Sequence, residues 1–253
     1  MCTLLFAAGI HPRYSLVLAA NRDEFYARKT APAGWWPDAP GLFAGRDLQA
    51  GGTWFGVTRR GRWAALTNVR DPANIRLDVR SRGALVADYL RGTAAPGEYL
   101  AAVEGERYDG FNLVVGDADG VWYMNNRSGD RRRLEPGLYG LSNARLDTPW
   151  PKVVRGKAGL RELLAGEAID VAAIMAMLAD ATPADDAALP DTGVGIELER
   201  ALSSLCIAMP GYGTRVSTAM LVGVDGWTLC REQATVPGPH PAIAEVKFRR
   251  EAV

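Results

Sequence analysis

Four hairpin-like pairs of strand-length runs constrain the fold of this chain more than any other feature. Cys2–Ala8 and Tyr14–Ala20 flank the turn-rich Gly9-Ile10-His11-Pro12-Arg13. Trp54–Thr58 and Arg62–Asn68 meet through Arg59-Arg60-Gly61, and Phe111–Gly116 meets Val121–Asn125 through Asp117-Ala118-Asp119-Gly120. Val216–Val224 and Trp227–Glu232 meet through Asp225-Gly226. Runs broken by such residues read as antiparallel hairpins. The first pair does not alternate cleanly between polar and apolar, which predicts strands covered on both faces.

Helical spacing appears between the hairpins, over Ser81–Leu90, Pro96–Val103, Trp150–Leu164 and Ile169–Leu178. Glu197–Leu205 is a short amphipathic segment, and Glu245–Arg249 a weak closing strand. Hairpins, then helices, then hairpins suit antiparallel sheets sandwiched by helices, an α+β layered fold, and not alternating βα units. Residues 30–52, rich in Pro and Gly, read as a long irregular loop in which Trp35 and Trp36 either line a pocket or cap the core. Ala181–Gly195 reads as a mobile polar excursion, and Arg131-Arg132-Arg133 as a solvated turn or strand end.

A chain of 253 residues can bury a substantial core and reads as a single domain over 1–253. Lys+Arg and Asp+Glu both number 29, so no global charge favours nucleic acid or an anionic membrane as partner. The three cysteines, Cys2, Cys206 and Cys230, lack zinc, redox or disulfide spacing. They predict a reducing, cytoplasmic setting. The apolar start lacks a basic flank and is interrupted at His11-Pro12-Arg13, so no signal peptide is expected. No apolar run is long enough to insert stably in a bilayer.

Within that frame Cys2 has a specific chemical meaning. Methionine aminopeptidases remove Met1 when the next side chain is small. Removal leaves a thiol beside its own α-amine, and the two titrate at about 8.5 and about 7.7–8.0. Proton transfer between them is nearly balanced at neutral pH, the arrangement that N-terminal nucleophiles use. Polar residues recur where predicted strands end: Asn21-Arg22-Asp23, Asn68, Asn143 and Arg215. Acyl transfer needs such types. Asparagine N–H groups can stabilise an oxyanion, Asp23 can hold the amine or the thiol proton, and Arg22 or Arg215 can favour thiolate. Strand-end asparagines are also ordinary turn residues.

Met1-Cys2-Thr3 together with Ala20-Asn21-Arg22-Asp23-Glu24 resembles the NRDE family, which includes the Transport and Golgi Organisation 2 proteins. The resemblance continues through Gly45-Arg46-Asp47, Gly51-Gly52-Thr53-Trp54-Phe55-Gly56, Thr67-Asn68-Val69-Arg70, Phe111-Asn112-Leu113, Leu141-Ser142-Asn143 and Tyr212-Gly213-Thr214-Arg215. A more distant likeness links Cys2, Asn21, Asp23, Asn68 and Ser142-Asn143 to cysteine N-terminal-nucleophile amidases such as bile salt hydrolases and penicillin V acylases. Those amidases' arginine falls at Ala20 in this register, and Arg22 stands where they carry an apolar residue.

The resemblance implies a four-layer αββα sandwich and an amidohydrolase of a non-peptide C–N bond acting on a small amide or acyl substrate. In that reading Cys2 is the nucleophile, Asp23 orients its amine, and Asn68 and Asn143 hold the oxyanion. Arg22 and Arg215 complete the catalytic set, while Asn21, Trp35, Trp36 and Trp54 contact substrate. No cofactor is required. The family also implies an alternative, a non-catalytic binder of haem or of acyl-CoA and other lipids. For haem the sequence offers Cys2, Cys206, Cys230, His11 and His240 as ligands, with both histidines expected to face solvent. Cys206 reads as core and Cys230 as partly exposed.

Overall fold

The computed structural model describes residues 2–236 and 242–251, the Cys2 side chain excepted. Strand β1 (Cys2–Ala8) turns back into β2 (Tyr14–Phe25). Next come β3 (Thr30–Trp36), β4 (Ala39–Asp47), β5 (Phe55–Thr58) and β6 (Trp63–Asn68). Helices α1 (Gly83–Arg91) and α2 (Pro96–Ala102) precede β7 (Phe111–Gly116), β8 (Val121–Asn125), β9 (Arg131–Leu134) and β10 (Gly137–Leu141). Helices α3 (Pro151–Leu164), α4 (Val171–Leu178) and α5 (Ile196–Ala201) lead to β11 (Ala208–Met209), β12 (Tyr212–Gly223), β13 (Trp227–Ala234) and β14 (Ile243–Arg249).

Among the described residues these strands form two antiparallel sheets. One runs β10-β1-β2-β12-β13-β14, with β11 on β12; the other is the meander β3 to β9 in sequence order. The missing alternation in β1 and β2 now has its cause. Leu4, Phe6, Leu16 and Leu18 pack between the sheets against Phe55, Trp63 and Val114. Leu5, Ala7, Val17 and Ala19 pack outward against Leu160, Ile174 and Leu178 of α3 and α4. On the meander, Trp63 and Ala65 point inward, while Ala64 and Leu66 join Leu85, Val86 and Tyr89 of α1. The result is the expected αββα sandwich. Each apolar strand residue has a layer to enter, so both parities are hydrophobic.

Three local readings need correction. Residues 30–52 are mostly the hairpin β3–β4. Pro32 is tolerated because β3 is an edge strand, and the register slips between Ala31 and Gly34. Segment 181–195 is pinned: the Ala184 N–H donates to Ser203 Oγ (2.8 Å), and Thr192 donates through N–H (2.8 Å) and Oγ1 to Glu199 Oε1. Asn21-Arg22-Asp23-Glu24 does not follow the strand's end at Ala20, since β2 runs through it to Phe25. Strand parity therefore sends these side chains to opposite faces.

Candidate active site

The β1–β2 register sets Cys2 opposite Arg22 and Thr3 opposite Asn21, and the β2–β12 register sets Asp23 opposite Thr214. A bulge between Thr214 and Val216 takes Arg215 out of the ladder. The backbone of Cys2 thus lies at the open end of the sheet, against the polar stretch of β2.

Asp23 is fully buried. Its Oδ1 accepts a 2.6 Å hydrogen bond from Thr214 Oγ1, which itself accepts the Ile207 N–H at 2.8 Å. Lys152 Nζ lies 3.8 Å from Asp23 Oδ2, with both side chains buried. Burial pushes the Asp23 carboxyl up from the ordinary range, and the Lys152 charge opposes that rise.

Arg22 leaves β2 on the other face, 6% exposed, with its guanidinium 4.2 Å over the Trp54 ring and 3.5 Å from Glu24. It faces a cleft of about 370 Å³ that Asp23, Trp54 and Asn68 also line. Arg28, Arg76, Arg80 and Arg82 add further positive charge, set against Glu24, Asp47 and Asp109. Arg28 holds Asp47 at 2.6 Å and Arg82 lies 3.6 Å from Asp109, so part of this charge is neutralised within the wall.

The ends of the two sheets are stapled beside this cleft. Thr67 Oγ1 donates to Ser142 O (2.6 Å), and Asn143 Nδ2 donates to Asn68 O (2.9 Å). Asn112 donates to Thr67 Oγ1 and Ala144 O, while its Oδ1 accepts from Tyr123 and Asn125. On the far side Arg70 Nη1 meets Glu199 Oε2 at 2.6 Å, both groups at most 5% exposed, and Arg70 sits 4.8 Å over Trp150.

The structure gathers Arg22, Asp23, Trp54 and Asn68 at one cleft; the Asn143 amide, expected to hold the oxyanion, instead donates to the Asn68 carbonyl. It sends four other expected residues elsewhere. Asn21 points to the helical layer, donating to Leu178 O and Leu205 O (both 2.8 Å) and accepting from Ser217 Oγ (2.6 Å). Its amide is a buried clip between the sheet and the helical layer. Arg215 donates to the carbonyls of Phe25 and Arg28, bracing the turn after β2. Trp36 is buried under α1 with its indole N–H on Ala44 O, and Trp35 packs edge-on against Phe43 and Phe248. Asn21→Ala is expected to cost about 2 kcal/mol through the acceptors it orphans. Thermal unfolding measures this, and a loss below about 0.5 kcal/mol would contradict the clip.

Lys152, Thr214, Arg70, Glu199 and Asn112 were not singled out from sequence as functional side chains. Lys152 did carry one signal, a cation in the first turn of a helix, where the helix dipole disfavours it.

The expected haem donors fare unevenly. His11 is buried; its Nε2–H donates to Gly166 O (3.0 Å) and its Nδ1 accepts from Arg13 N–H (3.1 Å), so it does not face solvent. Met1, His240 and the Cys2 side chain lie outside the described residues. The two other thiols exchange their expected places. Cys230 is buried between the sheets and Cys206 is half-buried, and burial raises both thiol pKa values. Among the described residues no helix is long and apolar enough to cross a membrane.

Comparison with known proteins agrees with the layout. Two solved structures share the fold. One is the Caenorhabditis elegans ortholog of N-acylethanolamine-hydrolyzing acid amidase, with a TM-score of 0.51, 11% identity, and coverage of 87% of this chain and 92% of that one. The other is the C2A mutant of conjugated bile acid hydrolase from Clostridium perfringens, with a TM-score of 0.55, 8% identity, and coverage of 100% and 94%. At such identity the likeness carries the fold alone, that of the N-terminal-nucleophile hydrolases. Sequence relatives are nearer. The Transport and Golgi organization protein 2 homologs of Bos taurus and Homo sapiens are 39% and 37% identical, each match covering 92% of this chain and 93% of the relative. The family described as Transport and Golgi organisation 2 matches residues 1–236. From its first strand to the end of β13, this chain belongs to the Transport and Golgi organisation 2 family.

Proposed function

We propose that the protein is a cytoplasmic amidohydrolase that cleaves a non-peptide C–N bond, with Cys2 as nucleophile once Met1 is removed. The observation that carries this reading is the strand register. It sets the backbone of Cys2 beside Arg22-Asp23, at the end of the sheet where those residues and Asn68 line one cleft.

In this mechanism the α-amine of Cys2 takes the thiol proton and the thiolate attacks the substrate carbonyl. The Asn68 side-chain N–H groups receive the developing oxyanion, the type of contact that is worth about 10²–10³ in rate. Asn143 fixes the Asn68 backbone from behind. The α-ammonium returns its proton to the leaving amine as the C–N bond breaks, which leaves a thioester. Water, deprotonated by the same amine, then releases the acyl group and the thiol. Arg22 faces the cleft and favours the thiolate, while Asp23 orients the amine.

Intact-mass measurement should find an N-terminal cysteine. A panel of N-acyl amides should contain a substrate that wild type hydrolyses and Cys2→Ala cleaves at least about 10³-fold more slowly. A retained Met1, or hydrolysis unchanged by the substitution, would rule the mechanism out.

A second reading is favoured by one observation, the arginine-rich cleft wall. Five arginines, Arg22, Arg28, Arg76, Arg80 and Arg82, face four carboxylates, Asp23, Glu24, Asp47 and Asp109. Such a surface suits an anionic acyl compound such as acyl-CoA, carried without being cleaved. Under this reading Cys2→Ala binds that ligand as wild type does, and no turnover is seen.

A further inference from the structure

Lys152 is the least expected charge in the molecule. It stands in the first turn of α3, directly after Pro151, where the helix dipole opposes a cation. Its side chain is 1% exposed. A buried ammonium carries a desolvation penalty of several kcal/mol, and an apolar side chain of similar length would fill the same space without it. Its carboxylate neighbour is Asp23, at 3.8 Å. That distance exceeds the roughly 2.7–2.9 Å of a charge-assisted hydrogen bond, so Lys152 acts on Asp23 chiefly through its field.

Asp23 follows Arg22, the register partner of Cys2. Removal of Met1 therefore creates the new α-amine at the doorstep of the Asp23 carboxylate. Alone, a buried Asp23 would either take up a proton or grip the α-amine as ammonium. Neither state serves the chemistry, because an ammonium cannot accept the thiol proton. A second cation changes the balance. Two positive charges at one carboxylate repel, and the weaker base gives up its proton. The α-amine titrates at about 7.7–8.0 and a lysine at about 10.4, so the α-amine is the one that becomes neutral.

We infer that Lys152 is a positioning residue for the nucleophile. Acting through Asp23, it keeps that carboxylate ionised to orient the N-terminus and leaves the Cys2 α-amine free of its proton near neutral pH. The inference rests on the reading of Cys2 as nucleophile. The other groups that act on Asp23 are Thr214 from β12, Arg22 from β2 and Arg70 beyond β6, and Cys206 senses its charge. None of them changes in the experiment, so their contributions cancel.

The test needs no substrate. Iodoacetamide alkylation of Cys2 in the mature full-length protein is followed by peptide mapping between pH 5 and 10, for wild type, Lys152→Met and Lys152→Arg. Wild type should label at Cys2 before Cys206 and Cys230, with a midpoint below the free-thiol value of about 8.5. Loss of the cation should raise that midpoint by a unit or more, about a tenfold slower reaction at pH 7. Lys152→Arg should return the midpoint to the wild-type value. A low wild-type midpoint that Lys152→Met leaves in place overturns the role of Lys152 while the nucleophile stands. A wild type that retains Met1, or labels with an ordinary midpoint, removes both. Should Lys152→Met not fold, NMR titration of wild type with 15N-labelled lysine decides the matter. The Lys152 ammonium must stay protonated across the range in which Cys2 labelling rises, and its titration inside that range overturns the inference.

Discussion

Glu199→Ala is expected to lower the stability of this protein by about 3–5 kcal/mol, the range for breaking a buried ion pair from one side. Glu199 Oε2 meets Arg70 Nη1 at 2.6 Å, and the two side chains are 3% and 5% exposed. Removing the carboxylate strands a guanidinium that burial already disfavours, as its lowered pKa records. Arginine stays protonated at any workable pH, so it has no neutral form to retreat to. The same carboxylate also receives Thr192 from the 181–195 segment. Glu199→Gln retains an acceptor for Thr192 and should lose less. Urea unfolding measures both, and limited proteolysis should find new cleavage within 181–195 in the alanine variant. A loss under about 1 kcal/mol for Glu199→Ala would place this pair with the weak surface bridges.

The second large effect depends on pH. Glu232, on β13, is 4% exposed, and its Oε1 accepts the Ala33 N–H at 2.7 Å across the space between the sheets. Burial pushes its carboxyl up from 4.5 to about 7, with the Ala33 hydrogen bond and Arg22 opposing the rise. A group with a raised folded pKa holds its proton longer in the folded state. Its contribution is therefore complete below the unfolded pKa and is lost as pH rises towards 7. The span corresponds to about 3 kcal/mol. Glu232→Gln imitates the protonated form and keeps an oxygen for Ala33. It should match wild type at pH 4.5 and exceed it by about 3 kcal/mol at pH 8. Subtracting the two curves cancels the other titrating groups. Parallel curves across that window would show that Glu232 does not titrate as described.

The layered fold was legible because the hydrophobic pattern reports burial directly. β7 and β8 lie where the runs and the Asp117–Gly120 turn put them. Residues 30–52 misled because Pro and Gly punctuate an edge strand as readily as a loop, and no pattern tells which strand is at an edge. The site was legible in part. Arg22 and Asp23 lie near the end of β2, and Asn68 ends β6 in the other sheet. The stacking of the two sheets brings them to one cleft, and the family likeness supplied their types. Asn21 and Asp23 share one face of β2 by parity, yet Asn21 is spent on the Leu178 and Leu205 carbonyls while Asp23, nearer the strand's end, meets Thr214 and Lys152. Lys152, Thr214 and Glu199 come from distant stretches, and their burial follows from tertiary packing alone. In the sequence Trp35 and Trp36 are open to two readings, a pocket wall or a cap on the core. Large aromatics near glycines resemble a pocket wall, and here they close a core.

The two sheets differ in how far along the chain their pairings reach. The meander joins each strand to its neighbour in sequence, and the other sheet seats β12 against β2. Thr214 reaches Asp23 across 191 residues, and Ser217 reaches Asn21 across 196. Short loops close early and long ones late, because closing entropy must be met before distant contacts reward it. On the ribosome the meander is free to assemble while the first hairpin still lacks its neighbour, since synthesis proceeds from the N-terminus. The β1–β2 hairpin, made early, is thus among the last elements to acquire its neighbours. A nascent chain carries the β1–β2 hairpin without the Thr214 that fixes Asp23, and this end of the sheet is complete only once β12 has been made.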